Sequence, residues 1–135
     1  MTDTFTEQQR SQLMSRVRNR NTVPEVRVRS LLHQMGYRFR LHRKDLPGTP
    51  DIVFPKYRKI IFVHGCFWHG HNQCKRGKRP ETNTDFWNTK INKNITRDIN
   101  AQKSLLDSGW SVTVVWECEI ADIKGLQDRL KAFLA

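Results

Sequence analysis

The chain of 135 residues lacks the features that mark membrane, secreted and repeat proteins. No apolar run approaches the roughly 20 residues that a membrane span requires. The amino-terminal stretch "MTDTFTEQQR" has no apolar core of a secretory signal. Internal repeats and low-complexity segments are also missing. These absences predict a single intracellular domain with one modest core.

Acidic residues are scarce relative to basic ones. The chain has 13 of the former and 24 of the latter, which gives a formal net charge of +11. An excess of this size favours a polyanionic partner, most simply nucleic acid. Membrane binding is disfavoured, because no basic helix with a strong apolar face is present.

Capping and turn signals divide the chain into helices and short strands. Thr6 with Gln9 favours a first helix over residues 6–17. Thr22 and Glu25 form a capping-box pattern for a second helix that stops at Gly36. The other predicted elements are strands at 37–41, 51–54, 59–64 and 110–116, and helices at about 85–107 and 123–133.

The order of these elements predicts an α/β fold with a mixed sheet of about four core strands. Three sequential strands form an antiparallel meander, and the fourth returns parallel to the third through a helix. Helices then cover both faces. On the long helix, the expected core positions are Ile91, Ile95, Ile99 and Leu106. A second helix face carries Trp87, Lys90, Asn94 and Asp98.

Cysteine is rare, and its three positions fall in a pattern typical of zinc sites. Cys66, His71 and Cys74 form C-x4-H-x2-C in one loop, and Cys118 follows the last predicted strand. An odd number of cysteines argues against a disulfide framework. Three thiolates and an imidazole suit a closed, structural zinc site. The alternative is three unconnected thiols, with Cys118 as a small buried hydrophobe.

Carboxylates and histidines near the predicted hairpin are candidates for catalysis. Asp51 opens one strand beside the main chain of the next, which suits Mg²⁺. The pattern resembles the PD-(D/E)xK nucleases, except that Phe62 and His64 replace the usual acid and lysine. His64 and His69 can accept a proton or support a phosphate, and Asp98 can orient one of them. The alternatives are a turn aspartate and two exposed loop histidines.

Four stretches extend this pattern over most of the chain, from about Met14 to Cys118. They are "LPGTPDIVF", "KIIFVHGCFWHGH", "FWNTKINKNITRD" and "GWSVTVVWEC". Together they resemble the very-short-patch-repair (Vsr) endonuclease family. The resemblance implies a restriction-endonuclease-like fold with a structural zinc. Residues 1–20 would be a DNA-contacting segment, and 21–135 the catalytic core of one domain.

The resemblance also implies an activity and its metals. The enzyme would act in the cytoplasm of a prokaryotic cell, on the nucleoid. It would nick DNA on the 5′ side of the T in a T:G mismatch that arises when 5-methylcytosine deaminates. Asp51 and the main-chain carbonyl of Val63 would bind Mg²⁺, two ions in all, and Glu25 would reach them through water. Zinc would bind Cys66, His71, Cys74 and Cys118.

Catalytic and DNA-binding roles follow from the same resemblance. His69, hydrogen-bonded to Asp98, would activate water, and His64 would support the phosphate. Three aromatic side chains would enter the DNA from the major groove as wedges, which a mismatched pair resists less. They are Phe67, Trp68 and Trp87. Lys90 and Asn94 would read the mismatch edges, and Met14 would approach from the minor groove. The alternative for the aromatics is a small satellite core over the zinc.

Three functions remain open. The first is a monomeric mismatch nickase on double-stranded DNA, for which the resemblance implies a MutL-type repair protein as partner. The second is a type II-like restriction endonuclease that cuts matched DNA. The third is a non-catalytic, zinc-bearing DNA-binding module, in which the catalytic set could be replaced without loss. That set is Asp51, His64, His69 and Asp98.

Overall fold

The computed structural model describes residues 22–71 and 74–135, without the side chain of Arg76. Its helices are α1 (Val23–Gln34), α2 (Thr84–Asp107) and α3 (Ile123–Leu134). Its strands are β1 (Arg40–Leu41), β2 (Ile52–Phe54), β3 (Lys59–His64) and β4 (Ser111–Trp116). Short 3₁₀ turns occupy Lys75–Gly77 and Glu117–Ala121. The predicted helix at 6–17, with Met14, lies outside the described residues.

Local capping explains where the helices begin and end. The Thr22 side chain accepts a hydrogen bond from the Glu25 main-chain N–H at 3.4 Å, at the start of α1. Gly36 follows that helix with a φ of 88°, a left-handed conformation that glycine adopts at little cost. Asp122 caps α3 by accepting from the Gly125 N–H at 3.1 Å. Within the described ranges, no helix is both long and apolar enough to cross a membrane.

The four strands form one mixed sheet in the order β1-β2-β3-β4. The first two pairings are antiparallel, and β3 runs parallel to β4. This confirms the predicted topology. Strand β1 is shorter than the predicted 37–41, because it pairs only with Val53 and Ile52 of the short β2. Tyr37 packs its ring edge-on against Phe54 instead.

Apolar side chains cover both faces of the sheet, as predicted. One core lies between the sheet and the helices α1 and α3; among its members are Val28, Leu32, Ile61, Val115 and Leu130. The other lies under α2 and consists of Val53, Ile60, Phe62, Leu105 and Trp110. The sheet is therefore buried on both sides, and its strand ends are the places where polar chemistry can be exposed.

The predicted core face of α2 is wrong at two positions. Ile91 is buried, but Ile99 is 60% exposed and Leu106 is 55% exposed. The buried positions in the second half of the helix are Ala101 and Leu105. A step of eight residues turns an α-helix roughly 80° past two full turns, so Ile99 leaves the face that Ile91 occupies. The error arises from this phase drift along a 24-residue helix.

Candidate active site and metal centre

Three groups of potential metal-binding side chains lie among the described residues. They are Glu25, His42 and Asp51; His64, His69 and Asp98; and Cys66, His71, Cys74 and Cys118. Within each group the donor atoms lie within 4.8 Å of one another. All predicted catalytic and zinc-binding side chains fall in these groups. The one member that the sequence analysis did not select is His42.

The first group lies where β2 begins and α1 starts. Asp51 directly precedes β2, and its Oδ2 accepts a hydrogen bond from the Val63 main-chain N–H at 2.7 Å. Glu25 is 2% exposed and is hydrogen-bonded to Asp51. Burial, followed by the hydrogen bond with Glu25, raises the pKa of Asp51 to about 8. Two carboxyl groups so close together and so poorly hydrated are a suitable site for a hard cation.

Glu25 is held from two directions. Its Oε2 accepts hydrogen bonds from Arg29 Nη2 at 2.8 Å and from His42 Nε2 at 2.9 Å. The capping-box pattern therefore accounts for the hydrogen bond between the Glu25 main-chain N–H and the Thr22 side chain. The Glu25 carboxylate, in contrast, is part of the site. The sequence does hold a signal for His42, because this residue follows β1, the strand that pairs beside Asp51.

The second group joins the end of β3 to the middle of α2. His69 Nδ1 lies 2.5 Å from Asp98 Oδ2. The His64 and His69 rings stack with centroids 3.8 Å apart and planes 4° from parallel. His64 is 3% exposed, so it is not an exposed loop histidine. Its burial, followed by the electrostatic interaction with His69, lowers the pKa of His64 to about 3, which keeps this ring neutral.

An open cavity of about 330 Å³ gives access to this group. His64, His69, Asp98 and Trp116 are among the residues that line it. Trp116, the last residue of β4, is a member of neither apolar core. Its ring instead contacts His64 edge-on at 5.3 Å and stacks on His71 at 4.2 Å, with planes 8° from parallel. Trp116 therefore touches both the second and the third group.

The third group has the composition and compactness of a zinc centre. Cys66 is buried, and Cys118 Sγ lies 3.6 Å from His71 Nδ1. In a zinc tetrahedron with Zn–S bonds of about 2.3 Å and Zn–N bonds of about 2.0 to 2.1 Å, sulfur and nitrogen ligands lie roughly 3.5 to 3.6 Å apart, so the Cys118–His71 distance fits the ion. Burial raises the pKa of Cys66 to about 12, and a bound cation would offset that effect.

Two glycines allow the loop after β3 to pack closely. Gly70 has a φ of 63°, and a Cβ there would lie 2.6 Å from Ile95 Cδ1 of α2. A Cβ on Gly77 would lie 2.1 Å from the His71 carbonyl oxygen. A side chain at position 70 would push the loop away from α2. A side chain at position 77 would push the loop away from the 3₁₀ turn Lys75–Gly77. Close backbone packing thus holds the loop that carries His69 and His71.

The aromatic side chains of the loop pack with α2 as one cluster. The ring centroids of Phe67, Trp68 and Trp87 lie 5.2 to 6.0 Å apart. Trp87 is 7% exposed, so it supports the other two rather than protruding. The sequence analysis did not select Phe86, which is 59% exposed and contacts Trp87 edge-on at 5.0 Å.

Lys90 and Asn94 lie on the α2 face that meets this cluster, as predicted. Lys90 Nζ lies 5.6 Å from the centre of the Trp68 ring. Asn94 Nδ2 donates a hydrogen bond to the Trp68 carbonyl oxygen at 2.9 Å. These contacts place one cation and one amide beside the exposed edge of the aromatic cluster.

A family model described as DNA mismatch endonuclease Vsr matches residues 2–76. The chain belongs to the Vsr family of DNA mismatch endonucleases. Among curated relatives, the DNA mismatch endonuclease Vsr of Escherichia coli is 43% identical over 129 residues, which cover 96% of this chain and 82% of the relative. The family resemblance seen in the sequence is thereby confirmed.

Other relatives agree with this assignment. The type II nicking enzyme V.XorIIP of Xanthomonas oryzae pv. oryzae is 54% identical over 99% of this chain and 98% of its own length. A solved structure, the catalytic domain of homing endonuclease I-Bth0305I, superposes with a TM-score of 0.58 at 19% identity. It covers 84% of this chain and 94% of that domain, and it supports the nuclease-like fold alone.

Proposed function

We propose that this Vsr-family chain nicks one strand of double-stranded DNA on the 5′ side of the T in a T:G mismatch, with Mg²⁺ as cofactor. The observation that carries the proposal is the His69–Asp98 hydrogen bond in an open cavity beside the buried His64. A histidine oriented by a carboxylate and accessible to solvent can act as a general base. Family membership supplies the substrate class.

Asp51 and the main-chain carbonyl of Val63 would hold Mg²⁺, and Glu25 would act on the ion through water. The carboxylates of Asp51, just before β2, and of Glu25, in the first turn of α1, are hard oxygen donors within 4.8 Å of each other. When bound, up to two Mg²⁺ ions would neutralise negative charge on the reacting phosphate and the leaving oxygen. The buried pair of carboxyl groups is the feature that favours a cation here.

His69 is the general base in this proposal and accepts the proton of the attacking water. Asp98 accepts from Nδ1–H, which leaves Nε2 with its lone pair as the proton acceptor. Nε2 takes a proton from water as the water oxygen bonds to phosphorus. The bond from phosphorus to the 3′ oxygen breaks, and that oxygen takes a proton from solvent water and leaves as a 3′ hydroxyl, while the phosphate stays on the 5′ end of the other fragment. His64, kept neutral by burial, would donate a hydrogen bond to the phosphate.

The aromatic cluster would recognise the mismatch. Phe67 and Trp68 are the more accessible members and would lead into the base stack, with Trp87 behind them. A T:G pair stacks and pairs less well than a matched pair, so its separation costs less. Lys90 and Asn94 would read the mismatch edges beside these rings. Met14 would approach from the minor groove, although it lies outside the described residues.

Zinc would hold the loop that carries both the aromatic residues and His69. Its ligands would be Cys66, His71, Cys74 and Cys118. Because four protein ligands close the coordination shell, the ion would be structural.

The net charge of +11 would attract the DNA and make binding dependent on salt. A monomeric state and a MutL-type partner remain predictions.

A nicking assay on labelled duplexes tests this proposal. Duplexes with T:G, T:A and C:G pairs would be incubated with the zinc-loaded chain, with and without Mg²⁺. Wild type is compared with His69→Ala and with His33→Ala, a matched control because His33 is an exposed histidine at the far end of α1. Omitting Mg²⁺ is preferable to adding EDTA, which would also remove zinc.

The expected result is a single nick 5′ of the mismatched T, dependent on Mg²⁺ and present in His33→Ala but not in His69→Ala. Cleavage of both strands in matched DNA would instead establish the restriction-enzyme alternative. Mismatch binding by wild type without any cleavage would support the zinc-bearing binding module.

A further inference from the structure

We propose that His42 is a positioning residue of the Mg²⁺ site, which holds the Glu25 carboxylate against Asp51. This inference rests on the proposed function of that site. It concerns a side chain that neither the capping pattern nor the strand pattern had selected. The evidence is a pair of hydrogen bonds that tie His42 to both carboxylate residues.

His42 bonds to one of these residues through its side chain and to the other through its main chain. Its Nε2 lies 2.9 Å from Glu25 Oε2. Its main-chain N–H donates to the Asp51 carbonyl oxygen at 3.2 Å. One residue thus connects the first turn of α1 to the start of β2. Since these elements are far apart in the chain, the spacing of their two carboxylates depends on tertiary contacts such as this one.

The backbone of His42 is unusual in a way that fits this role. Its φ is 46°, in the left-handed region that residues other than glycine seldom adopt. Such conformations are energetically unfavourable and persist where the surroundings hold them. Here the two hydrogen bonds supply that restraint, at the point where strand β1 has ended.

Arg29 and His42 contact the Glu25 carboxylate from different elements of the fold. Both donate to Oε2, Arg29 from the next turn of the same helix and His42 from the sheet. The Arg29 contact balances the carboxylate charge and stays within α1. The His42 contact ties the carboxylate to the sheet edge where Asp51 lies and, unlike the direct Glu25–Asp51 hydrogen bond, it does not require either carboxyl group to be protonated. Removing His42 should therefore leave Glu25 paired with Arg29 but free to turn away from Asp51.

The test compares His42→Ala with His42→Gln, with His33→Ala as the matched histidine control. The glutamine amide can donate to Glu25 much as Nε2–H does, whereas alanine cannot. Mg²⁺ affinity of the zinc-loaded chain is measured by competition against Mn²⁺, followed by the relaxation of water protons. Thermal midpoints without Mg²⁺ and the Mg²⁺ dependence of T:G nicking are measured in parallel.

We expect His42→Ala to weaken Mg²⁺ binding by about 10- to 100-fold, as loss of such supporting hydrogen bonds does. His42→Gln should restore the affinity to within about 3-fold, and the thermal midpoint without Mg²⁺ should change little in either variant. Nicking by His42→Ala should recover at high Mg²⁺, since the change affects the metal and not the general base.

Two results would overturn the positioning role. One is wild-type Mg²⁺ affinity in His42→Ala. The other is a His42→Gln variant as weak as His42→Ala that has also lost preference for Mn²⁺ over Mg²⁺, because His42 would then be a ligand itself. Failure of the proposed function is distinguishable from both, since wild type would then neither bind Mg²⁺ nor nick the mismatch.

Discussion

The His71 and Trp116 rings stack with centroids 4.2 Å apart and planes 8° from parallel. The same tryptophan meets His64 edge-on. It therefore connects the candidate zinc centre to the candidate active site through direct ring contacts. Any change that releases His71 should also disturb the position of His64, although the two histidines serve different groups.

Loss of one zinc ligand should consequently lower nicking as well as stability. We expect wild type to bind one zinc per chain, and Cys74→Ser to bind it far more weakly. Zinc content, thermal midpoint and nicking rate would be measured together. A Ser104→Ala variant, on the exposed part of α2, serves as control. A zinc-free Cys74→Ser chain with the wild-type nicking rate would contradict the coupling.

The zinc affinity should rise with pH. Burial raises the pKa of Cys66 and also that of Cys118, so both thiols are protonated near neutral pH without metal. Each must release its proton to bind zinc. Chelator competition at pH 6.5 and pH 8 should therefore show tighter binding at the higher pH. Equal affinities at both values would argue against thiolate ligation.

Asp98→Asn should slow the chemical step while leaving DNA binding intact. The amide can no longer stabilise a positively charged His69, and it can favour the wrong tautomer. We expect a fall of about 10²- to 10⁴-fold in the single-turnover rate on T:G duplexes. Asp107→Asn, an exposed change at the end of α2, is the control. A rate within about 3-fold of wild type would exclude the orienting role.

Asp51→Asn should abolish Mg²⁺-dependent nicking yet stabilise the protein when Mg²⁺ is absent. Asp51 has a pKa of about 8 in the folded chain, above the ordinary value of 3.8, so the free energy of unfolding falls as the pH rises from 3.8 to 8. The amide does not ionise in the unfolded chain, so it removes that penalty, which is about 4 kcal/mol at pH 7. Urea unfolding without added Mg²⁺ measures it. A loss of stability would mean that the hydrogen bond to Val63 dominates.

His64 should make the fold sensitive to mild acid. Its folded pKa of about 3 lies below the unfolded value of 6.5, so the unfolded chain binds the extra proton. Above pH 6.5 this group has no effect. Between pH 6.5 and 3 it lowers the free energy of unfolding by about 1.4 kcal/mol per pH unit. Urea unfolding from pH 7 to pH 5 should show a shallower fall in His64→Gln than in wild type.

Phe67→Ala should weaken T:G binding more than binding to matched DNA. If its ring enters the base stack, its loss should cost about 1 to 3 kcal/mol, or roughly 5- to 150-fold in affinity. Tyr57→Ala is the control, because Tyr57 is an exposed aromatic on the β2–β3 turn. Equal losses on matched and mismatched duplexes would favour the satellite-core alternative.

Much of the fold could be predicted because its signals are local. Runs of β-branched residues marked β2, β3 and β4, and the capping residues Thr22 and Gly36 marked the ends of α1. The helical crossover then required β4 to lie parallel to β3. The core face of α2 was predicted less accurately, because a small error in helical phase accumulates from Ile91 to Ile99.

The sequence by itself determined which chemical groups the protein has available. The cysteine and histidine spacing, the strand that follows Asp51 and the Vsr-type motifs are all contained in short stretches. Residue type and local spacing set these properties, so no partner from a distant segment is needed to recognise them.

The tertiary structure alone decided how those groups are combined. It joined His69 to Asp98 across 29 positions and His42 to Glu25 across 17. It also buried Trp87 beneath the aromatic loop. Contacts of this kind depend on where strand ends and helices meet in space, and no repeating period in the sequence records them.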